Sequence, residues 1–336
     1  MKKIAGFLLL YSLALSCSNQ DIQGCFPNSD LPDTIEPLTS FGQRAEWSLD
    51  GKTVYFVDKA GGEIFKVDVK TKKVKQLSDS TMRPAGHAYY RIMCLSNGDF
   101  LLSCGPGRRD TYIQIWDKGM KTPPVSLNEQ INEGPAVSRQ SMKIAWTEKQ
   151  ETIISGELSY RNGIPEIVNK KVIIYNDSVI ADSIHFPKHM LEPQSFRPGK
   201  ENELLWSMYG LTDEGVFTSE TMLYDSNTGE IKNLSKAPGQ YDEPEGIYPD
   251  GIYTLTECDH HRKTGTNSID IYKLEIDSEG KNYTRLTFFS EIEGFRASNP
   301  VVNDEGTMIA FQASESGSEP GAGCGLYLMN IDNSEK

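Results

Sequence analysis

The sequence has few histidines, few cysteines and no cluster of basic residues, and each shortage argues against a class of function. It contains 5 histidines and 6 cysteines in 336 residues, and no two cysteines have the CxxC spacing of a structural zinc site. Its 34 basic residues are outnumbered by 47 acidic residues, for a formal net charge of −13. Because such a chain repels phosphate backbones, nucleic acid is not an expected partner. Phosphate-binding loops and nucleophile elbows are also missing from the sequence.

The first residues, MKKIAGFLLLYSLALSC, have the features of a secretory signal. Lys2 and Lys3 precede an apolar run that is too short to span a membrane, and Ser16 stands immediately before Cys17. A cysteine at the cleavage point resembles a bacterial lipoprotein signal, in which the new amino-terminal cysteine carries the lipid. The resemblance implies a signal peptide over residues 1–16, lipidation of Cys17 and a tether over residues 17–33. It further implies an exported protein, anchored in the cell envelope at the outer membrane. Plain secretion is the alternative.

Five cysteines remain beyond Cys17, and the odd number means that they cannot all pair within the chain. They are Cys25, Cys94, Cys104, Cys258 and Cys324. Cys94 and Cys104 flank a predicted turn and could form a disulfide across a hairpin. Buried free thiols that pack as small apolar groups are equally compatible with the sequence. The disulfide connectivity therefore stays open at this stage.

One short pattern recurs six times: an apolar or aromatic residue, a polar turn, and then alternating apolar positions. The copies are RAEWSLDGKTVYF (44–56), RIMCLSNGDFLLS (91–103), PAVSRQSMKIAW (135–146), PQSFRPGKENELLW (193–206), EGIYPDGIYTLT (245–256) and SNPVVNDEGTMIAF (298–311). Their turns lie 43 to 58 residues apart. This period is typical of the blades of a β-propeller.

Each copy is followed by a third strand, and the first five copies continue, after a turn, to a fourth strand that often ends in Leu and a hydroxyl residue. In the third copy, KVIIYN (171–176) is predicted as the third strand and VIADSI (179–184) as the fourth. The sixth copy ends without a fourth strand, whereas TIEPLTS (34–40) has the fourth-strand pattern ahead of the first copy.

The sequence therefore predicts an all-β protein, a six-bladed β-propeller with four-stranded antiparallel blades. It forms a single domain over residues 34–336. An N-terminal strand completes the last blade, which leaves no open sheet edge at the junction of the two termini.

The turn motif and the closing Leu-Thr or Leu-Ser resemble the TolB-type repeat of six-bladed propellers. The clearest matches are WSLDGKTVYF (47–56), IYPDG (247–251) and VNDEG (302–306). The resemblance implies a fold and leaves the activity open. TolB-like envelope proteins bind peptides or proteins at the propeller mouth. Oligogalacturonide lyases, built from similar blades, hold a divalent metal with His and Gln side chains and cleave uronate oligosaccharides.

Because the first strand of each blade lines the axis, residues ahead of each turn are expected to converge on one mouth of the channel. The candidates are Arg44, Glu46, His87, Tyr89, Tyr90, Arg91, Glu133, Glu192, Gln194, Glu243, Glu245, Arg296 and Asn299. Their charges could pair with one another as a solvated ring, or they could form a polar pocket with stacking tyrosines. The second hypothesis makes the protein a monomeric binding module for a peptide, protein or oligosaccharide, without catalysis or cofactor.

A metal-assisted lyase of uronate oligosaccharides is the alternative function. It requires several imidazoles around one divalent ion such as manganese, together with a base. The candidate ligands are His87, His185, His189 and His260. The sequence departs from the lyase pattern, because no Gln is followed at short spacing by two alternating histidines. Long insertions between second and third strands are predicted to form a rim on one side of the disc, at 147–170, 207–220, 259–268 and 313–324.

Overall fold

Six four-stranded antiparallel sheets make up the computed structural model, which describes residues 22–132, 134–176, 189–319 and 321–331. Blade 1 contains β2 (Gln43–Trp47), β3 (Thr53–Val57), β4 (Ile64–Asp68) and β5 (Val74–Gln76). Blade 2 contains β6 (Ala88–Cys94), β7 (Phe100–Gly107), β8 (Asp110–Trp116) and β9 (Val125–Ile131). Blade 3 contains β10 (Ala136–Val137), β11 (Lys143–Glu148), β12 (Thr152–Arg161) and β13 (Ile164–Tyr175). Blade 4 contains β14 (Met190–Arg197), β15 (Lys200–Leu211), β16 (Phe217–Asp225) and β17 (Ile231–Asn233). Blade 5 contains β18 (Asp242–Ile247), β19 (Tyr253–Cys258), β20 (Asp270–Glu275) and β21 (Tyr283–Arg285). Blade 6 contains β22 (Phe295–Val302), β23 (Met308–Glu315), β24 (Leu326–Asn330) and β1 (Ile35–Pro37). The predicted six-bladed β-propeller is confirmed.

Helical structure in the described residues is limited to single 3-10 turns. They lie at Asn28–Asp30, Ser80–Met82, Gly265–Ser268 and Phe289–Glu291. Among all the residues that the structure describes, no helix has the length and apolar character needed to cross a membrane.

The N-terminal strand closes the ring as the sequence predicts. β1 pairs antiparallel with β24, and Ile35 lies opposite Met329. Pro37 is tolerated there because β1 is the outermost strand of its blade, where a missing N–H leaves no inner ladder bond unmade. The pairing continues past the strand, since the Leu38 amide donates to the Leu326 carbonyl at 2.8 Å. The Leu38 side chain is fully buried against blades 1 and 6.

A disulfide between Cys25 and Cys324 fastens the segment ahead of β1 to the last blade. Next to it, the ring of Phe26 stacks on Phe289 with ring centroids 4.0 Å apart. Gly24 fits there because it lacks a side chain: a Cβ at this position would lie 2.1 Å from the Tyr327 hydroxyl. Part of the predicted tether is therefore packed against the propeller, through Cys25, Phe26 and Leu31.

The three cysteines Cys94, Cys104 and Cys258 are free and buried. The hairpin disulfide considered from the sequence does not form. In the β6–β7 hairpin, Cys94 lies opposite Phe100 and Cys104 lies opposite Tyr89, so the two thiols are far out of register. The interpretation of these residues as buried free thiols is confirmed.

Blade 3 differs from the sequence-based assignment of its strands. Residues 171–176, predicted as the third strand, belong almost entirely to the fourth strand, β13, and the predicted insertion at 147–170 is mostly the β12–β13 hairpin. The hairpin turns at Asn162 and Gly163, which have φ angles of 52° and 80°. Asn-Gly is the preferred pair for such a two-residue turn, and this signal was missed. The strand predicted at 179–184 lies outside the described residues.

The core consists of apolar clusters between neighbouring blades rather than one central cluster. Each of the six interfaces has at least one such cluster of buried side chains. Four interfaces each bury one tryptophan, namely Trp47, Trp116, Trp146 and Trp206. Because each blade buries its faces only against its neighbours, the axis is left to polar side chains.

Candidate functional site

The first strand of five of the six blades carries a β-bulge, and residues within or immediately after these bulges line the channel. The register shifts lie between Gln43 and Glu46, Tyr89 and Arg91, Pro193 and Ser195, Pro244 and Ile247, and Ser298 and Val301. A bulge adds an unpaired residue and re-aims its side chain. Arg44 and Asn299 also have left-handed φ angles of 57° and 48°, which non-glycine residues adopt rarely and often at functional sites.

Four of these residues form a constriction in the channel, which we call the waist: Arg44, Arg91, Glu245 and Asn299. They line both of the cavities that lie along the axis. The Asn299 amide donates to Glu245 at 2.8 Å, and Arg91 approaches Glu245 to 4.0 Å. Arg91 also lies 3.5 Å from Glu192. Polar contacts thus connect blade 2 with blades 4 and 5 across the axis.

One side of the disc carries the turns that join the first and second strands of each blade. On that side the waist forms the floor of a cavity of about 320 Å³, which we call the hairpin-side cavity. All six blades contribute to its wall. Its apolar lining residues include Ile92, Met93, Pro135, Val137, Pro198, Ile247, Pro249, Val301 and Val302. Glu46, Arg139 and Gln194 add polar groups. The volume is within the range of ligand pockets, and the wall combines apolar side chains with polar and charged groups in nearly equal parts.

Arg139 extends from the turn after β10 across the opening of this cavity. Its guanidinium donates to the Asp304 carboxylate of blade 6 at 2.9 and 3.0 Å, and to Glu46 of blade 1 at 2.7 Å. Burial raises the pKa of Glu46, and the positive charge of Arg139 opposes that rise. Arg139 was missed from the sequence, where the only signal is that the turn of the third copy, SRQS, lacks a glycine.

On the other side of the waist lies a smaller cavity of about 70 Å³, the carboxylate cavity. Glu243, Glu245 and Glu257 are buried there, with one oxygen from each within 4.8 Å of the others. Glu243 accepts hydrogen bonds from the Tyr209 and Tyr241 hydroxyls and from the Gln194 amide. Burial, reinforced by the nearby charge of Glu245, raises the pKa of Glu243 to about 7. The cluster therefore retains a proton near neutral pH.

Glu257 is a second residue that sequence reasoning missed. Burial raises its pKa well above the usual range, and its carboxylate accepts a hydrogen bond from the backbone N–H of Asn299 at 2.7 Å. It lies in the second strand of blade 5, β19, whereas the residues predicted to line the axis lie in or just before first strands. Loops between second and third strands, including Thr266 and Gly321, border this cavity, so the rim predicted from the insertions lies on this side.

Nine of the predicted residues line one or both cavities: Arg44, Glu46, Arg91, Glu192, Gln194, Glu243, Glu245, Arg296 and Asn299. Three do not. Tyr89 is fully buried between blades 1 and 2, the Tyr90 hydroxyl lies over Gly61, and the His87 ring stacks on Tyr112. The expectation that they face the channel is wrong, because the bulge after Tyr89 directs Arg91 to the axis instead. Glu133 and Cys17 lie outside the described residues.

The candidate histidines are not brought to one centre in the part of the chain that the structure describes. His87 lies in blade 2, ahead of β6, and His189 is buried at the start of blade 4, where burial lowers its pKa. The His260 ring lies 2.9 Å from Asp242 in blade 5. His185 is outside the described residues. The described groups of three metal-ligating side chains are Asp242, Cys258 and His260, and the three glutamates above.

Comparisons with known proteins identify the fold. No family model and no curated protein matches the chain. A solved structure assigned as TolB from Agrobacterium tumefaciens is 11% identical, covers 79% of this chain and 96% of that chain, and superposes with a TM-score of 0.52. An oligogalacturonate lyase in complex with manganese is 14% identical, covers 88% and 78% of the two chains, and has a TM-score of 0.50. Identities this low establish no shared activity. The chain is a six-bladed β-propeller whose fold is similar to that of TolB and related propellers.

Proposed function

We propose that this protein is an exported, lipid-anchored and monomeric binding module that holds a segment of a partner's peptide chain in the hairpin-side cavity. The observation that carries the proposal is the cavity itself. All six blades line its volume of about 320 Å³, its walls combine apolar and polar side chains, and Arg44, Arg91, Glu245 and Asn299 form its floor. A peptide matches this arrangement, because apolar side chains pack on the walls while its backbone and charged groups meet the floor.

The lining favours a peptide over an oligosaccharide. Sugar recognition relies on aromatic ring faces, and the tyrosines predicted for that role, Tyr89 and Tyr90, lie outside the cavity. Trp47 is the aromatic residue among the lining groups, but only 1% of its surface is exposed. Its indole N–H donates to the Val301 carbonyl at 3.0 Å, which fixes the ring within the wall.

Two observations support export. The first 17 residues have the pattern of a lipoprotein signal. The disulfide between Cys25 and Cys324 is a bond that persists in oxidising compartments outside the cytosol. Anchoring through Cys17 and an outer-membrane location are parts of the proposal that the signal alone supports.

The second candidate, a metal-assisted lyase, is supported by fold similarity alone, because the histidines in the described part of the chain do not meet at one centre. His87, His189 and His260 line neither cavity, and they belong to three different blades. The carboxylate cavity brings together acids rather than imidazoles, and acids next to one another disfavour the approach of a uronate carboxylate.

Selection from a random peptide library displayed on phage tests the proposed function. The immobilised propeller is compared with Met93→Trp, in which the larger ring enters the cavity, and with Leu49→Trp, which adds the same ring at an exposed turn outside the lining. We expect enriched peptides that bind the wild type and Leu49→Trp and lose binding to Met93→Trp. Peptides that bind all three proteins equally, or no enrichment at all, would contradict the proposal.

A further inference from the structure

We propose that Asp242, Cys258 and His260 form a binding site for one zinc ion in blade 5, where that blade faces blade 4. Each of the three residues offers one ligand atom, and these atoms lie within 4.8 Å of one another. A tetrahedral zinc ion with bonds of about 2.0–2.3 Å places its ligand atoms about 3.3–3.7 Å apart, so small side-chain shifts suffice to enclose an ion. The 2.9 Å contact between His260 Nε2 and Asp242 Oδ2 lengthens slightly as the ion enters.

The strands bring these residues together over a short distance in the sequence. Asp242 begins β18 and Cys258 ends β19, and the two are directly opposite in the antiparallel ladder. His260 follows two residues later, and its backbone N–H approaches the Cys258 sulfur to 3.4 Å. The arrangement is therefore held by the backbone of the blade, so the ligands are positioned before an ion binds.

The donor set selects the class of metal. A thiolate, an imidazole and a carboxylate together suit zinc and cobalt, whereas magnesium and calcium prefer oxygen ligands alone. Three protein ligands leave a fourth position for water. When the ion binds, the Cys258 thiol releases its proton to solvent and the thiolate sulfur forms the metal bond.

Two further features point to an ion rather than a larger ligand. Asp242 Oδ1 and the Tyr283 hydroxyl are buried and interact with each other, but their contact lacks the geometry of a well-formed hydrogen bond. Unsatisfied polar atoms of this kind call for an additional partner. The side chain of Asp242 is completely buried and that of His260 is 22% exposed, so a small ion can enter past the imidazole.

The site is independent of the proposed peptide cavity. Asp242 precedes Glu243 in β18, and neighbouring residues of a strand point to opposite faces. Glu243 lines the carboxylate cavity, whereas Asp242 lies near Glu220 of blade 4. Loss of zinc binding and loss of peptide binding are therefore separate outcomes.

The test measures zinc and cobalt binding to the purified full chain and to two variants of adjacent histidines. His260→Gln removes a ligand. His261→Gln is the matched control, because the His261 ring contacts the Tyr272 and Ser290 hydroxyls and is not part of the cluster. Equilibrium dialysis gives the stoichiometry and affinity of zinc. The thiolate-to-cobalt charge-transfer absorption reports whether the sulfur is a ligand.

We expect one zinc ion per wild-type chain and per His261→Gln chain. Replacing metal-supporting residues beyond the ligands already weakens affinity about 10–100-fold, so His260→Gln is expected to weaken it at least tenfold. The cobalt band should be lost in Cys258→Ser and kept in Cys94→Ser. Absence of stoichiometric zinc, equal affinity in both histidine variants, or a cobalt complex without a thiolate band would overturn the proposal.

Discussion

Removing the disulfide between Cys25 and Cys324 should lower the free energy of unfolding substantially. The bond joins residues 299 positions apart, so in the unfolded chain it closes a loop that contains nearly the whole propeller. For a loop of 299 residues the chain-entropy relation gives a stabilisation of about 5.7 kcal/mol at 25 °C. Measured values are usually smaller than this relation predicts, and we expect a loss of about 2–5 kcal/mol.

The assay is urea unfolding followed by tryptophan fluorescence, since four tryptophans are buried between blades and report on their separation. The double variant Cys25→Ser, Cys324→Ser is compared with the wild type, each with and without reductant. Reductant should shift the wild-type midpoint to that of the double variant and leave the variant unchanged. The reasoning is refuted if the oxidised wild type and the double variant unfold at the same urea concentration.

Three further predictions concern the closure and the channel. Leu38→Ala should destabilise the propeller by about 2.7–5 kcal/mol because it leaves a cavity between blades 1 and 6. The exposed control Val74→Ala should change stability by less than about 0.5 kcal/mol. Equal effects of the two substitutions would contradict the closure of the ring by the N-terminal strand. Arg139→Ala should lower the free energy of unfolding by up to about 3 kcal/mol, because it removes the ion-pair partner of Glu46. Adding Glu46→Gln should restore most of this loss. If stability does not recover in the double variant, the broken ion pair is not the cause of the loss. Glu243 has a pKa of about 7 in the fold and about 4.5 when unfolded, so the folded state keeps a proton that the unfolded chain has released. Unfolding free energy should therefore fall as pH rises from 4.5 to about 7, and Glu243→Gln should flatten this slope. The exposed control Glu230→Gln should leave the dependence of unfolding free energy on pH unchanged. If Glu243→Gln also leaves it unchanged, the prediction is contradicted.

The architecture was predictable because each blade repeats a local pattern. A turn such as Asp50-Gly51 followed by alternating apolar residues marks one inner hairpin, and the six copies mark six blades. The closing strand was predictable for the same reason, since residues 34–40 match a fourth strand that the last blade lacks. Asn162-Gly163 carried equally local information, and its omission misplaced the strands of blade 3.

Other features depend on contacts between distant residues, which a repeat pattern does not contain. The pairing of Cys25 with Cys324 follows from the way the termini meet at blade 6. Bulges depend on the register between two strands, so the sequence could not show that Arg91 faces the axis while Tyr89 joins the core. Arg139 reaches blades 1 and 6 only because its long side chain extends across the opening.

Hydrogen exchange of the propeller with and without a selected peptide tests the central claim, that the hairpin-side cavity is the binding site. The account predicts slower amide exchange on binding in the inner strands and hairpins around the cavity, including residues 91–93 and 301–304. The loop at residues 259–269, on the other side of the disc, should exchange at the same rate in both samples. Protection confined to that loop or to the outer strands would contradict the account.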